Sequence, residues 1–114
     1  MKGKELTANE LTKAVLKRLN AQPGVMVWRQ NNHTTRGRSF RGRRGIGDIL
    51  GIVRPGVFLS IEIKVGRDKL SQAQKEFIQD VTGLGGIAGV VGSLEELEVF
   101  YDAQIGPLIL KNRG

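Results

Sequence analysis

From position 57 to 65, every odd-numbered residue is apolar: Val57, Leu59, Ile61, Ile63 and Val65, with Phe58, Ser60, Glu62 and Lys64 between them. A period of two predicts a strand with one apolar face. Residues 48–53 read as a second strand, and Arg54-Pro55-Gly56 separates the two. That tripeptide is a turn signal, because Pro presets φ and Gly tolerates φ > 0. The two arms therefore form a β-hairpin centred on Pro55, with Val53 facing Val57, Ile49 facing Ile61, and Asp48 facing Glu62. A one-residue slip would turn Asp48 onto the apolar side, so the pattern itself selects this register.

The remaining elements follow from the same reading. Thr7-Ala8-Asn9-Glu10 is a capping-box pattern, and Leu11, Val15 and Leu19 recur at helical spacing, which predicts a helix over 8–20. Pro23-Gly24 breaks the chain, and Val25-Met26-Val27-Trp28-Arg29 reads as a strand. Trp28 suits a core or an interface better than a base-stacking platform, since aromatic residues are otherwise sparse. Ser71 and Gln74 form a second capping box, opening a helix over 71–82 whose inner stripe is Gln74, Phe77, Ile78 and Val81. Gly83-Leu84-Gly85-Gly86 ends it, and Ile87-Ala88-Gly89-Val90-Val91 predicts a short buried strand. Ser93 caps a last helix running to about Ala103, with Leu94, Leu97 and Tyr101 on one side, and the apolar piece 105–109 covers either the domain or a second copy. The order α-β-β-β-α-β-α predicts an α/β fold, a mixed sheet flanked by helices.

Composition narrows the partners. At 114 residues the chain makes one domain, and its 39% hydrophobic and 25% charged residues are those of an ordinary globular protein. It has no cysteine, which excludes disulfides and thiolate zinc sites. The opening Met1-Lys2-Gly3-Lys4-Glu5 lacks the apolar core of a signal peptide, and no apolar run reaches membrane-spanning length, so the expected location is cytoplasmic. A formal charge of +7 points to a polyanion, and an excess of basic residues alone would also suit a membrane surface, so their placement decides. Arg29, Arg36, Arg38, Arg41, Arg43 and Arg44 fall in the segment 29–44, which contains no acid and reads as a long loop. Unopposed guanidinium groups suit phosphate contact, and the segment leads directly into Asp48. His33 is the sole histidine and cannot make a zinc site alone.

The chemistry gathers on the hairpin. Facing Cβ atoms of Asp48 and Glu62 would lie roughly 4.5–5.5 Å apart. Two adjacent carboxylates repel unless a cation or a shared proton lies between them. Mg²⁺ commonly takes one or two carboxylates plus waters and phosphate oxygens. Lys64 follows on the same face about 6.6–6.8 Å along the strand, within reach of a phosphate held there. The bland alternative is a pair of solvated strand residues with Glu62 and Lys64 as a weak surface ion pair.

Taken together, Glu10, Gly45-Ile46-Gly47-Asp48, Glu62-Ile63-Lys64 and Gln74 resemble the PD-(D/E)xK nuclease superfamily and, more narrowly, the virus-type replication-repair nuclease (VRR-NUC) domain. Leu70-Ser71-x-x-Gln74 is the more family-specific run, whereas Gly47 stands where the family usually has Pro. Small stand-alone members have about this length. The resemblance implies a restriction-endonuclease-like core and Mg²⁺- or Mn²⁺-dependent hydrolysis of DNA that leaves a 5′-phosphate and a 3′-hydroxyl. Asp48, Glu62 and the Ile63 backbone carbonyl would hold the metal, with Glu10 completing the site directly or through water. Lys64 and Gln74 would be the other catalytic residues, and Arg36, Arg38, Arg41, Arg43 and Arg44 would bind DNA. Glu10 also has an ordinary reading as the capping-box acid, with Glu5 as the substitute in a shifted register. Stand-alone relatives further imply a homodimer acting on branched DNA such as a four-way junction. The alternative is a non-catalytic basic module that binds DNA or RNA, although RNA-type aromatic motifs are absent.

Overall fold

Each capping pattern opens a helix where the sequence places it. The structure, a computed structural model, describes residues 5–30 and 43–113. Helix α1 spans Ala8–Asn20, α2 spans Gln72–Gly83 and α3 spans Leu94–Phe100, with Thr7, Ser71 and Ser93 as their N-caps. The strands are β1 Val25–Arg29, β2 Ile49–Val53, β3 Val57–Ile63 and β4 Ile87–Val91. They form one mixed sheet in the order β1-β2-β3-β4, antiparallel across the first two pairings and parallel across the last. Ile49 faces Ile61 and Val53 faces Val57, the register that the apolar alternation selects. The architecture is α/β, a four-stranded mixed sheet flanked by helices.

Odd-numbered strand residues supply the main core. Val27, Ile49, Val53, Leu59, Ile61, Ile63, Ile87 and Val91 pack with Leu11, Val15 and Leu19 of α1 and with Leu97 of α3. Burial of one such side chain is worth roughly 1.5–3 kcal/mol, so this face carries most of the fold's apolar stabilisation. Helix α2 lies over β3 and β4 on the opposite face, burying Phe77 and Val81. Ser60 and Glu62 on this face are buried, and Gln74 of α2 bonds Glu62.

The C-terminal region departs from the sequence reading. The chain does not leave the helix near Ala103. It continues through a π-helical turn at Tyr101–Ile105 into α4, Gly106–Lys111. Pro107 has no N–H and would crowd a carbonyl in a regular helix interior. In the wider turn the Gly106 amide donates to the Tyr101 carbonyl, and Pro107 falls in the first turn of α4, where no N–H is required. Ile105 and Leu97 are fully buried in the chain's own core, which removes them from any surface offered to a second copy. Arg18 ties α1 to α3 through two bonds to Glu98, at 2.8 and 3.0 Å, with its guanidinium over the Tyr101 ring. No helix among the described residues is long and apolar enough to cross a membrane.

Candidate functional site

Asp48 immediately precedes β2, and its carbonyl accepts from the Gln30 amide at 2.8 Å, so the ladder with β1 reaches this position. The β2–β3 register makes Asp48 and Glu62 the next facing pair beyond Ile49 and Ile61. One Asp48 oxygen, Oδ2, accepts from the Ile63 backbone N–H at 2.7 Å, which fixes the carboxylate against the end of β3. Glu62 is only 4% exposed, which excludes the reading of a solvated strand residue. Burial pushes its carboxyl up to about 8; the Asp48 carboxylate beside it adds to the rise, and the Lys64 charge opposes it. Lys64 is half-buried just beyond β3, where its amide extends the ladder to the Val91 carbonyl at 3.1 Å.

Gln74 joins α2 to this pair. Its Oε1 accepts from the Ser71 amide at 2.8 Å to complete the capping box, while Nε2 donates to Glu62 Oε1 at 2.9 Å. One side chain therefore both closes the cap of α2 and holds the Glu62 carboxyl. Two glycines bring the pieces together. At Gly45, φ is +78° and an added Cβ would overlap the Ala73 carbonyl in the first turn of α2. At Gly47 a Cβ would overlap the Ser60 hydroxyl, so neither Ala nor the Pro of the resembled family fits without movement. The sequence offered no sign of these contacts beyond the recurrence of glycine.

Arg43, Arg44, Gly45, Ile46, Asp48, Glu62, Ser71, Ala73 and Gln74 line an open cleft of about 360 Å³. A larger hollow of about 620 Å³ lies among Arg54, Tyr101, Ile109 and Leu110, but no buried ionisable group lines it. Arg43 is not unopposed, as the sequence suggested. It pairs with Asp80 of α2 at 2.6 Å and lies over the Phe77 ring, because α2 brings an acid that is distant in sequence. Arg44 is exposed at the cleft, and Arg29 donates to Asn9 at 2.8 Å. Arg36, Arg38, Arg41 and His33 lie outside the described residues.

Glu10 is placed in its capping box. Its Oε1 accepts from the Thr7 amide at 2.9 Å, its own amide donates to Thr7 Oγ1 at 3.1 Å, and the Thr7 amide holds its carboxyl below the usual range. It does not line the cleft. Among the described residues no group of three or more His, Asp or Glu side chains is arranged to hold a metal ion. The site is therefore a two-carboxylate arrangement with Gln74 bonded to it; Lys64 does not line the cleft but is near enough for its charge to act on Glu62. No protein-family model matches this chain, and no curated protein matches it.

Proposed function

We propose that this chain is a Mg²⁺- or Mn²⁺-dependent nuclease with a PD-(D/E)xK core, hydrolysing DNA phosphodiester bonds. The observation that carries this reading is the pairing of buried Glu62 with Asp48 in a cleft bordered by arginines. The donor set suits a hard divalent cation, which needs no more than one or two carboxylates when water and phosphate oxygens complete its shell. Ile63 and Gln74 each hold one oxygen of Asp48 and Glu62, so both carboxylates are oriented before any ligand arrives. The Ile63 carbonyl is the further oxygen that the family resemblance suggests.

A divalent cation in this place supplies Lewis-acid polarisation of a phosphoryl oxygen and a lowered pKa for a water. The chain's own residues do the rest. Asp48 and Glu62 would hold the cation, Glu62 after giving up its proton, and Gln74 keeps Glu62 from turning away. Lys64 offers its ammonium to the negative charge that grows on the non-bridging phosphate oxygens. Arg44 holds a neighbouring phosphate, and Arg43 joins it by exchanging Asp80 for DNA. Attack of a water oxygen on phosphorus breaks the bond to the 3′-oxygen; the water's proton passes to bulk solvent and the 3′-oxygen takes one up, leaving a 5′-phosphate and a 3′-hydroxyl. Glu10, engaged in its cap, has no step in this scheme.

Cleavage assays with wild type, Asp48→Asn, Glu62→Gln and Lys64→Ala test the reading. Mg²⁺ should support cutting by wild type, both carboxylate variants should be inactive yet still bind DNA, and Lys64→Ala should be about 100- to 1000-fold slower. Full activity in either carboxylate variant removes the metal-nuclease reading. A second reading is favoured by the raised Glu62 pKa: a carboxyl and a carboxylate sharing a proton need no metal, as in a non-catalytic basic nucleic-acid binder. That protein would bind DNA and cut nothing under any divalent cation.

We also propose a homodimer acting on branched DNA, because cutting both strands at a junction takes two matched sites. Leu97 and Ile105 lie in the core, so of the C-terminal apolar residues Leu94, Val99 and Leu110 are the ones still exposed for such a contact, with Trp28 exposed on the sheet. A monomer by light scattering at micromolar concentration would overturn this assembly and leave the nuclease reading in place.

A further inference from the structure

The sheet face that carries Asp48 and Glu62 does not end at the cleft. Helix α2 covers it over β3 and β4, while the part over β1 and β2 retains exposed apolar residues. Met26, Ile52 and Phe58 face one another across three adjacent strands, and they are 55%, 40% and 38% exposed. One row closer to the cleft, Trp28 faces Leu50 and is 39% exposed. Asp48 is bonded to Gln30, so Trp28 is its diagonal neighbour on the same face, at a typical spacing of about 7–8 Å that an indole can span. Sequence reasoning favoured a core or interface for Trp28, and a core is not where it lies.

We propose that this face is a stacking platform for unpaired nucleobases next to the cleavage position, with Trp28 as its principal residue. The inference rests on the nucleic-acid part of the proposed function. Its occupant is chosen by charge and continuity. A second copy seated on this face would set one arginine-bordered cleft against another, whereas a nucleic acid brings neutralising phosphates. The only apolar surface a nucleic acid can offer to an indole and a phenyl ring is a base face, freed when the base is unpaired. A strand whose phosphate sits between Arg44 and the carboxylate pair has its neighbouring nucleotide beside Trp28. The platform thereby selects single-stranded, flapped or frayed DNA over continuous duplex.

Trp28 is the one tryptophan of the chain, so its fluorescence reports on this face alone. Oligothymidylate, a matched duplex and inorganic polyphosphate are titrated in EDTA, with Trp28→Ala, Trp28→Phe and Phe58→Ala compared by anisotropy on labelled oligothymidylate. Saturable quenching by oligothymidylate, well beyond that by polyphosphate, is expected. Trp28→Ala should weaken binding about 5- to 150-fold, Trp28→Phe by far less, and Phe58→Ala by an intermediate amount. Absent quenching, equal quenching by polyphosphate, or unchanged affinity in both alanine variants would overturn the proposal. So would sedimentation showing a dimer in which Trp28 is shielded from acrylamide. Cleavage with Mg²⁺ is scored separately. Quenching without cutting removes the nuclease and keeps the platform, and cutting that ignores Trp28 does the reverse.

Discussion

At the scale of single residues, the raised pKa of buried Glu62 links its proton to stability and, in the proposed function, to the cation. Its folded pKa of about 8 lies above the ordinary 4.5, so between those values the folded chain keeps a proton that the unfolded chain has released. Stability is therefore fullest at the acid end of this window and falls as pH rises toward 8, by up to roughly 1.4 kcal/mol per pH unit from this group. Urea unfolding in EDTA from pH 5.5 to 8.5, as compared with Glu62→Gln, isolates it: the wild-type decline should exceed that of the variant. Identical slopes would mean that Glu62 ionises normally. In the proposed function a divalent cation would compete with the same proton, so Mg²⁺ should raise the unfolding midpoint more at high pH than at low pH. Glu62→Gln should show no such gain.

At the scale of elements, the N-terminus of α2 and the site are one construction, because Gln74 closes the cap with one atom and holds Glu62 with the other. Gln74→Glu separates the two jobs: a carboxylate still accepts from the Ser71 amide but can no longer donate to Glu62. Thermal stability at low pH should change little, whereas the pH-dependent loss through Glu62 should grow, since a third carboxylate stands beside the pair. Gln74→Ala loses both bonds and should cost about 1–2 kcal/mol at any pH. Equal behaviour of the two variants would mean that the cap alone matters. The sequence disclosed most of this element. Hairpin register, both capping boxes and the inward stripe of α2 were legible, because each is set by residues within a turn or two of one another. What depends on distant packing was not. Asp80 reaches Arg43 only once α2 is laid on the sheet, and the burial of Glu62 needs that same helix. The helix continuing past Gly106-Pro107 was hidden for another reason: a local breaker signal was overridden by burial of Ile105 in the core.

At the scale of the whole molecule, the +7 charge would draw the nucleic acid of the proposed function, but the arginines are not equivalent. Arg44 is exposed at the cleft, whereas Arg43 already spends its charge on Asp80. Duplex binding should weaken linearly with the logarithm of salt concentration, with a slope of about −0.9 per neutralised phosphate. Arg44→Ala should flatten that slope by about one unit. Asp80→Ala should act in the opposite direction, strengthening binding at low salt, because it frees the Arg43 guanidinium and removes a repelling carboxylate. Such exposed pairs add little to folding, so the midpoint of thermal unfolding should hardly move in either variant. The two slopes, measured by anisotropy between low and moderate salt on one duplex, decide whether the arginines at the cleft touch DNA. If Arg44→Ala leaves the slope unchanged and Asp80→Ala leaves affinity unchanged, phosphate contact at the cleft is ruled out, and the cleavage proposed there with it.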